Sequence, residues 1–460
     1  MSAGEREALA WLFSFADQER GVGWNPAASP AEQWKLGRTR ALLDLAGAPD
    51  RQLRTVLIAG TKGKGSTAAF LASLLAAAGV RVGLYSQPHL QVYHERIRVD
   101  GEVVASERFA AAVQRLRQRV ARFRQELPEA GEPTTFELTT ALAVELFAEA
   151  GCQIAVMEVG LGGRLDATNA LAPELSLITP ISYDHTEILG RTLRAIATEK
   201  AGILRADRPA LLALQRPAAA RALARCCRLV GARCRWVPPL AAAGAEAVQL
   251  PSGQVVRLSL AGTHQHQNAA LALAAAEVLL GPALAEEAVV RGLTRLRWPG
   301  RFEVVAGEPP VVLDGAHNDA SARALSEALQ RYASDRPVLL VLGMSREKAA
   351  QAILRPLLPL ASTIWVTAAH SPRALPTEQL AALCRRLTRV PVQQAPSVAA
   401  ALEAARCVGR DAVVCVTGSL LVVGEARSAL GLPPVWRLWE AGAEARWEEG
   451  DEKARHGIMP

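Results

Sequence analysis

The sequence predicts an α/β chain built as two successive units. Three observations carry this: a strand, glycine loop, helix, strand opening; further short apolar runs alternating with helical stretches; and a second series of such runs beyond a Pro-Gly break. The opening starts at Thr55, where TVLIA reads as a strand, GTKGKGS as a loop, TAAFLASLLAAAG as a helix and VRVGLY as the next strand, the order of a βαβ crossover. The runs at Ile154 to Val159, Leu175 to Pro180 and Pro209 to Leu214 continue it as a mostly parallel sheet covered by helices. LRWPGRFEVV then interrupts the helical pattern with Pro299 and Gly300, which marks a hinge. Strands of the second unit are expected at Val311 to Asp314, Val338 to Leu342, Ile364 to Thr367 and Ala412 to Thr417. A chain of 460 residues exceeds the usual ceiling for one hydrophobic core. The division expected is 1–296, a hinge at 297–305, 306–430, and a tail at 431–460. In the tail Trp436, Trp439 and Trp447 sit among glutamates and arginines, which fits either a docked amphipathic helix or a frayed end.

Composition narrows the function classes. Half of the residues are apolar and 21% are charged, the balance of a soluble globular protein. Met1 to Trp11 has no basic segment followed by an apolar run, so no secretory signal is expected, and no stretch reaches the length of a membrane helix. The odd set of cysteines at 152, 226, 227, 234, 384, 407 and 415 matches neither a paired framework nor zinc spacing. Reduced thiols in the cytoplasm are expected. The net charge of +7 comes without a clustered basic run or aromatic platform, so a cleft for phosphates and carboxylates explains it and nucleic acid does not. Only six of the 52 basic residues are lysines, at 35, 62, 64, 200, 348 and 453. Arginine cannot replace a compact or deprotonatable amine, so the lysines within motif-like stretches are chemically informative.

Gly60, Thr61, Lys62, Gly63, Lys64, Gly65, Ser66 and Thr67 form the loop between the first strand and its helix. Glycines let backbone N–H groups converge on phosphate oxygens, and the helix N-terminus favours their charge. Lys64 would reach the terminal phosphates and Ser66 would ligate Mg²⁺. The strict P-loop spacing is not met, since two residues separate Gly60 from Gly63 and Gly65 intervenes before Ser66.

SQPHLQVYHERI from Ser86, TTFELTTALA from Thr134, MEVGLGGRLDATNA from Met157, SYDHTEILG with EKAGI, RWPGRFE from Arg297, LDGAHN from Leu313 and TGSLLVVGE from Thr417 follow in order. Together they resemble the folylpolyglutamate synthase/dihydrofolate synthase family over roughly residues 5 to 427. The resemblance implies a Mur-ligase-type architecture: a P-loop ATPase domain with a mostly parallel sheet, then a smaller Rossmann-like α/β domain across a hinge. It also implies a magnesium- and ATP-dependent acid–amino acid ligase that joins L-glutamate to dihydropteroate, to reduced folates or to both. In that chemistry the γ-phosphoryl group passes to the substrate carboxylate, and the glutamate amine attacks the acyl phosphate.

Residue by residue, the resemblance makes Lys64, His185 and Lys200 catalytic, and Ser66, Glu158, His185 and Lys200 the ligands of two Mg²⁺ ions, with Lys200 carbamylated. Histidine is unusual for Mg²⁺ on ligand preference alone. Glu158 ends an apolar strand, where its charge would be costly without a cation. Asn268, Arg301, Asp314 and His317 match positions that contact ATP, and Arg301 at the hinge would clamp phosphate when the units close. Pro88, His89 and Arg96, Thr134, Thr135, Phe136 and Glu137, and Leu165, Asp166 and Ala167 match substrate-binding stretches. Four departures stand out: Lys62 where asparagine is usual, Gln87 for a serine, His94 for an asparagine and Tyr183 for a leucine. Gln87 and His94 are expected in the loop that touches the pterin or glutamate tail. A monomer with small-molecule substrates, and with neither nucleic acid nor membrane as partner, is expected. Two other readings are a Mur-type amide ligase for another carboxylate, for which the stretch before Thr55 leaves no room for a UDP-binding domain, and an ATP-gated binding module, which would not need the full metal set.

Overall fold

The computed structural model describes residues 2–17 and 35–439. In the first unit eight strands form one sheet: β1 (Arg54–Ala59), β2 (Val82–Tyr85), β3 (Ile97–Val99), β4 (Glu102–Val103), β5 (Ile154–Glu158), β6 (Leu175–Ile178), β7 (Pro209–Ala213) and β8 (Arg233–Val237), in the order β4-β3-β2-β5-β1-β6-β7-β8. β2, β5, β1, β6, β7 and β8 run parallel, and β3 and β4 extend one edge antiparallel.

Alternation along the central strands shows that both faces are covered. Val56, Ile58, Ile154 and Val156 pack with Phe70 and Leu74 of the helix Lys64–Ala77 and with the helix His264–Leu280. Leu57, Ala59, Ala155 and Met157 face the opposite layer, which includes Leu142 and Phe147 of the helix Thr135–Glu149. Each fully buried side chain of this size contributes about 1.5–3 kcal/mol. A Cβ on Gly83 of β2 would lie 2.4 Å from the Phe147 ring, so this close helix–sheet approach requires glycine.

A small antiparallel sheet follows: β9 (Ala241–Ala242), β10 (Ala247–Gln249) and β11 (Val255–Arg257). The second unit carries six strands: β12 (Glu303–Val305), β13 (Val311–Leu313), β14 (Val338–Leu342), β15 (Ala361–Val366), β16 (Val392–Gln394) and β17 (Val413–Thr417). Their order is β12-β13-β17-β14-β15-β16, with only β12 antiparallel.

Two expectations change. Residues 431–439 form no helix: Leu438 is fully buried against the first unit, and its chain pairs with residues 101–103 through bonds from Val103 N–H to Trp436 O (2.9 Å) and from Leu438 N–H to Gly101 O (3.0 Å). Trp447 lies outside the described residues. Cys227 and Cys234, expected as reduced thiols, are joined in a disulfide with Cα atoms 6.2 Å apart. Gly231, with φ 75°, turns the chain from the helix Pro217–Val230 back along β8 and brings the two together. No helix among the described residues is long and apolar enough to cross a membrane.

Candidate active site

The first unit gathers its polar residues where β5, β1 and β6 end side by side. After β1 the chain turns at Gly60 (φ 150°), and the helix begins at Lys64 behind Gly63 (φ 77°). A Cβ on Gly60 would stand 1.8 Å from Thr179 Oγ1, and one on Gly63 would stand 2.1 Å from Asn268 Oδ1. Close approach and backbone conformation together demand glycine at both positions. Asn268, buried in the helix His264–Leu280, is thereby pressed against the loop, and its amide donates to Gln265 Oε1 at 2.8 Å. Thr61 and Lys62 donate their N–H groups to Pro180 O, each at 3.1 Å, which anchors the loop on the end of β6. The first turn from Lys64 supplies N–H groups without intrahelical partners, a suitable seat for phosphate oxygens. Ser66 is buried in that turn, whereas Thr67 is fully buried in the core.

Glu158 ends β5 beside this loop. Its Oε1 lies 3.9 Å from Lys64 Nζ, and its Oε2 accepts from the Gln87 backbone N–H at 3.1 Å. Lys200 closes the helix Leu193–Lys200 and donates to Gly60 O at 2.8 Å. Burial, then Lys64, pushes its amine down to about 7, so an uncharged amine is accessible near neutral pH. His185 holds a left-handed backbone (φ 48°) at the start of a short helix. Burial, then Lys348, lowers its imidazole to about 4 and leaves it neutral. Among the described residues no three of His, Cys, Asp and Glu converge on a metal position. A hydroxyl, a carboxylate and a neutral imidazole nevertheless make a donor set that suits a divalent cation, and Glu158 Oε2 would lie 3.2 Å from a Cβ on Gly65, next to Ser66.

The second unit closes on this edge. Asp184 accepts from Lys348 Nζ at 2.9 Å and from Asn318 Nδ2 at 3.3 Å, both from beyond the hinge. Burial opposes its charge, but Lys348, His185, Lys62 and His317 hold it well below the usual carboxylate range. Asp314, at the end of β13, accepts from the N–H groups of Phe302 (2.8 Å) and Ala316 (2.9 Å), and burial raises its carboxyl. The His317 ring donates through Nδ1 to Gly315 O at 2.8 Å, and burial with Lys62 and Lys348 lowers it to about 3. The Arg301 guanidinium lies over Gly315, where a Cβ would come within 2.8 Å of its NH1, and donates to Gly300 O at 3.2 Å. Asp184 and Lys348 were not singled out from sequence; a lysine in a lysine-poor chain was the signal available for the second.

The segment from Ser86 to Arg96 folds between the units. Arg96 donates to His89 Nδ1 at 3.2 Å and stacks over the Tyr93 ring at 4.6 Å, while burial holds His89 well below its ordinary value. Pro88 follows Gln87 through a cis peptide. Glu95, unremarked in the sequence, shapes the turn by accepting from Leu90, Gln91 and Val92 N–H groups at 2.9, 3.2 and 3.1 Å. Arg427 donates to Gln91 Oε1 at 3.1 Å, and a Cβ on Gly424 would meet Leu90 O at 1.9 Å. The helix Leu420–Ala429 of the second unit thus seats this loop. Gln87 faces the site, its amide donating to Glu158 O at 3.3 Å. His94 does not. It is buried, with Nδ1 3.1 Å from Glu5 Oε1 and its ring 5.9 Å from that of Trp436, so it joins the N-terminal helix to the docked tail and lines no substrate loop.

The remaining substrate-stretch residues divide. Phe136 stacks near Tyr85 at 6.2 Å and reaches Gly160. Thr134 caps the helix Thr135–Glu149, Glu137 accepts from Thr134 N–H (2.7 Å) and Arg38 (3.0 Å), and the Thr135 hydroxyl donates to Leu12 O (3.0 Å). Asp166 accepts from Leu161 N–H and from Thr168, while Ala167 is buried beside it and Leu165 is half-buried. Thr135, Glu137 and Asp166 therefore spend these polar groups on holding the site walls.

Two domain descriptions match the chain: Mur ligase middle domain over residues 58–224, and Mur ligase, glutamate ligase domain over residues 300–420. Fold and site thus define a Mur ligase. A dihydrofolate synthase/folylpolyglutamate synthase of Bacillus subtilis is 35% identical over 412 residues, 86% of this chain and 94% of the relative. The Mycobacterium tuberculosis folylpolyglutamate synthase complexed with ADP and AMPPCP superposes with a TM-score of 0.84 at 33% identity, covering 94% of this chain and 100% of the other. Escherichia coli FolC in complex with DHPP and ADP gives 0.80 at 29% identity over 92% and 97%. The bifunctional Yersinia pestis enzyme complexed with AMPPNP and Mn ion gives 0.79 at 29% over 93% and 98%. The chain belongs to the folylpolyglutamate synthase/dihydrofolate synthase family.

Proposed function

We propose that this protein ligates L-glutamate to dihydropteroate, to reduced folates or to both, at the expense of ATP and through an acyl phosphate. The observation that carries the reading is the meeting of the Gly60–Thr67 loop, Glu158, Asp184, His185 and Lys200 of the first unit with Lys348 and His317 of the second across the hinge. The complexes of relatives with ADP, DHPP and Mn ion support it.

A carboxylate is a poor electrophile toward an amine, so its oxygen must first be made a leaving group. The carboxylate oxygen attacks the γ-phosphorus, ADP leaves, and the glutamate amine then displaces phosphate from the acyl phosphate. Here the loop N–H groups and Lys64 neutralise charge on the phosphoryl oxygens, and closure of the second unit excludes water from the reactive anhydride. Ser66, Glu158 and His185 would hold one Mg²⁺, and Lys200, as its carbamate, would contribute to a second. Such ions supply charge neutralisation on the phosphates. Arg301, Asp314, His317 and Asn268 would position the nucleotide, and Phe136 with the Pro88, His89 and Arg96 loop would border the pterin.

The test is ADP release with Mg²⁺, ATP and glutamate, comparing dihydropteroate with a reduced folate monoglutamate and weighing the products by mass. Glutamate addition to either substrate supports the reading; ATP turnover without glutamylated product overturns it.

A further inference from the structure

Four lysines approach the phosphate loop, and three are engaged. Lys64 lies 3.9 Å from Glu158, Lys200 donates to Gly60 O, and Lys348 donates to Asp184. The fourth, Lys62, belongs to the loop itself, and its Nζ is buried with no hydrogen-bond partner among the described residues. Leaving a buried ammonium unbonded costs free energy, which an anionic ligand at this position would offset. The nearby carboxylate is already shared, since Asp184 Oδ1 accepts from Lys348 Nζ and His185 N–H, and Oδ2 accepts from Asn318. The ammonium faces Asp184, Lys348, Lys64 and Asp319, at the boundary where the two units meet, and lowers His317 as well.

We propose that Lys62 is a further catalytic cation, whose ammonium donates a hydrogen bond to a non-bridging oxygen of the phosphoryl group while that group passes from ATP to the substrate carboxylate. The bond from the γ-phosphorus to the ADP oxygen breaks, the carboxylate oxygen–phosphorus bond forms, and Lys62 keeps its proton throughout. Burial has lowered its amine to about 7, and the arriving anion restores the charged form. Placement argues for the γ-phosphoryl in particular. Lys64, on the helix side of the loop, pairs with Glu158 of the first unit, whereas Lys62 sits between charged groups of both units, Asp184 and Lys64 of the first and Lys348 and Asp319 of the second, at the seam that closes over the phosphate loop.

This inference rests on the ligase reading, so the test separates the two. Lys62→Met keeps length without charge, and Lys62→Asn, smaller and usual in the family the sequence resembles, decides the matter if the first variant does not fold. Binding of ADP and of AMPPNP with Mg²⁺ is measured by calorimetry on the full chain, alongside kcat and the KM for glutamate. We expect AMPPNP binding to weaken about tenfold or more, as for a lost charged hydrogen bond, with ADP within about twofold. We also expect kcat to fall at least about tenfold at unchanged glutamate KM. Equal weakening of both nucleotides, no change in either, or a raised glutamate KM with AMPPNP unaffected each overturn the proposal. A wild-type chain that binds neither nucleotide overturns the ligase reading itself.

Discussion

Lys348 donates to Asp184 Oδ1 at 2.9 Å, tying the residue before His185 to the loop after β14 in the second unit. Both side chains are little exposed, 12% and 13%, so the pair belongs to the interior of the closed arrangement.

Breaking it should be felt in stability and in catalysis. Removing one member of a buried pair costs about 3–5 kcal/mol, and this partly exposed one should cost less. Asp184→Asn should lower kcat/KM at least about tenfold, because closure positions both halves of the site. The sign of the pH dependence follows from a depressed acid. The stabilisation is complete above the unfolded carboxylate value near ~4 and is lost as pH falls through the lower folded value. Thermal unfolding of wild type and variant should therefore differ by a constant amount from neutral pH down to about 5 and converge only below about 4.

Gly63→Ala should abolish nucleotide binding while the chain still folds. The added Cβ would meet Asn268 Oδ1 at 2.1 Å, and φ of 77° is unfavourable for any other residue. Calorimetry with ADP should show at least about a hundredfold weakening, since loop and helix N-terminus must both shift.

Lys200→Met should leave stability within about 1 kcal/mol of wild type, because burial already disfavours the charge it removes. Turnover should fall at least about a hundredfold if the amine or its carbamate holds a phosphate-bound ion. Loss of turnover with unchanged melting temperature is the expected pair of results; wild-type turnover would remove Lys200 from the metal set.

His94→Ala should destabilise the fold by about 2–4 kcal/mol, by opening a gap beside Trp436 and Phe109. The ratio of activities toward dihydropteroate and reduced folate should stay unchanged. A changed ratio with unaltered denaturant midpoint would return His94 to the substrate loop.

How far the sequence could be read follows from the range of the interactions involved. The βαβ opening, the glycine loop and the parallel strands β5, β6, β7, β13, β14 and β17 are local patterns, because apolar runs and turn residues bias the backbone within a few positions. The strands that escaped notice, β3, β4, β8 to β12 and β16, are short and lie in edge or antiparallel positions, or in the small satellite sheet, where half-solvated residues carry a weak signal. Glu158, His185 and Lys200 were legible as members of motifs. Their common site was not, for they come from β5, the loop after β6 and a later helix, and only the strand order β5-β1-β6 makes them neighbours.

Order along the chain was enough to establish the α/β class, the phosphate loop and the ligase family, because these rest on residue types at short spacings. Folding alone settled which polar groups remain available. It bonded Lys348 to Asp184 and Lys200 to Gly60, used Thr135, Glu137 and Asp166 in the walls, moved His94 into a structural joint and left the Lys62 amine without a hydrogen-bond partner among the described residues. The physical reason is that hydrogen-bond satisfaction is a property of the packed interior, where each buried donor is paired or left over by neighbours arriving from distant parts of the chain.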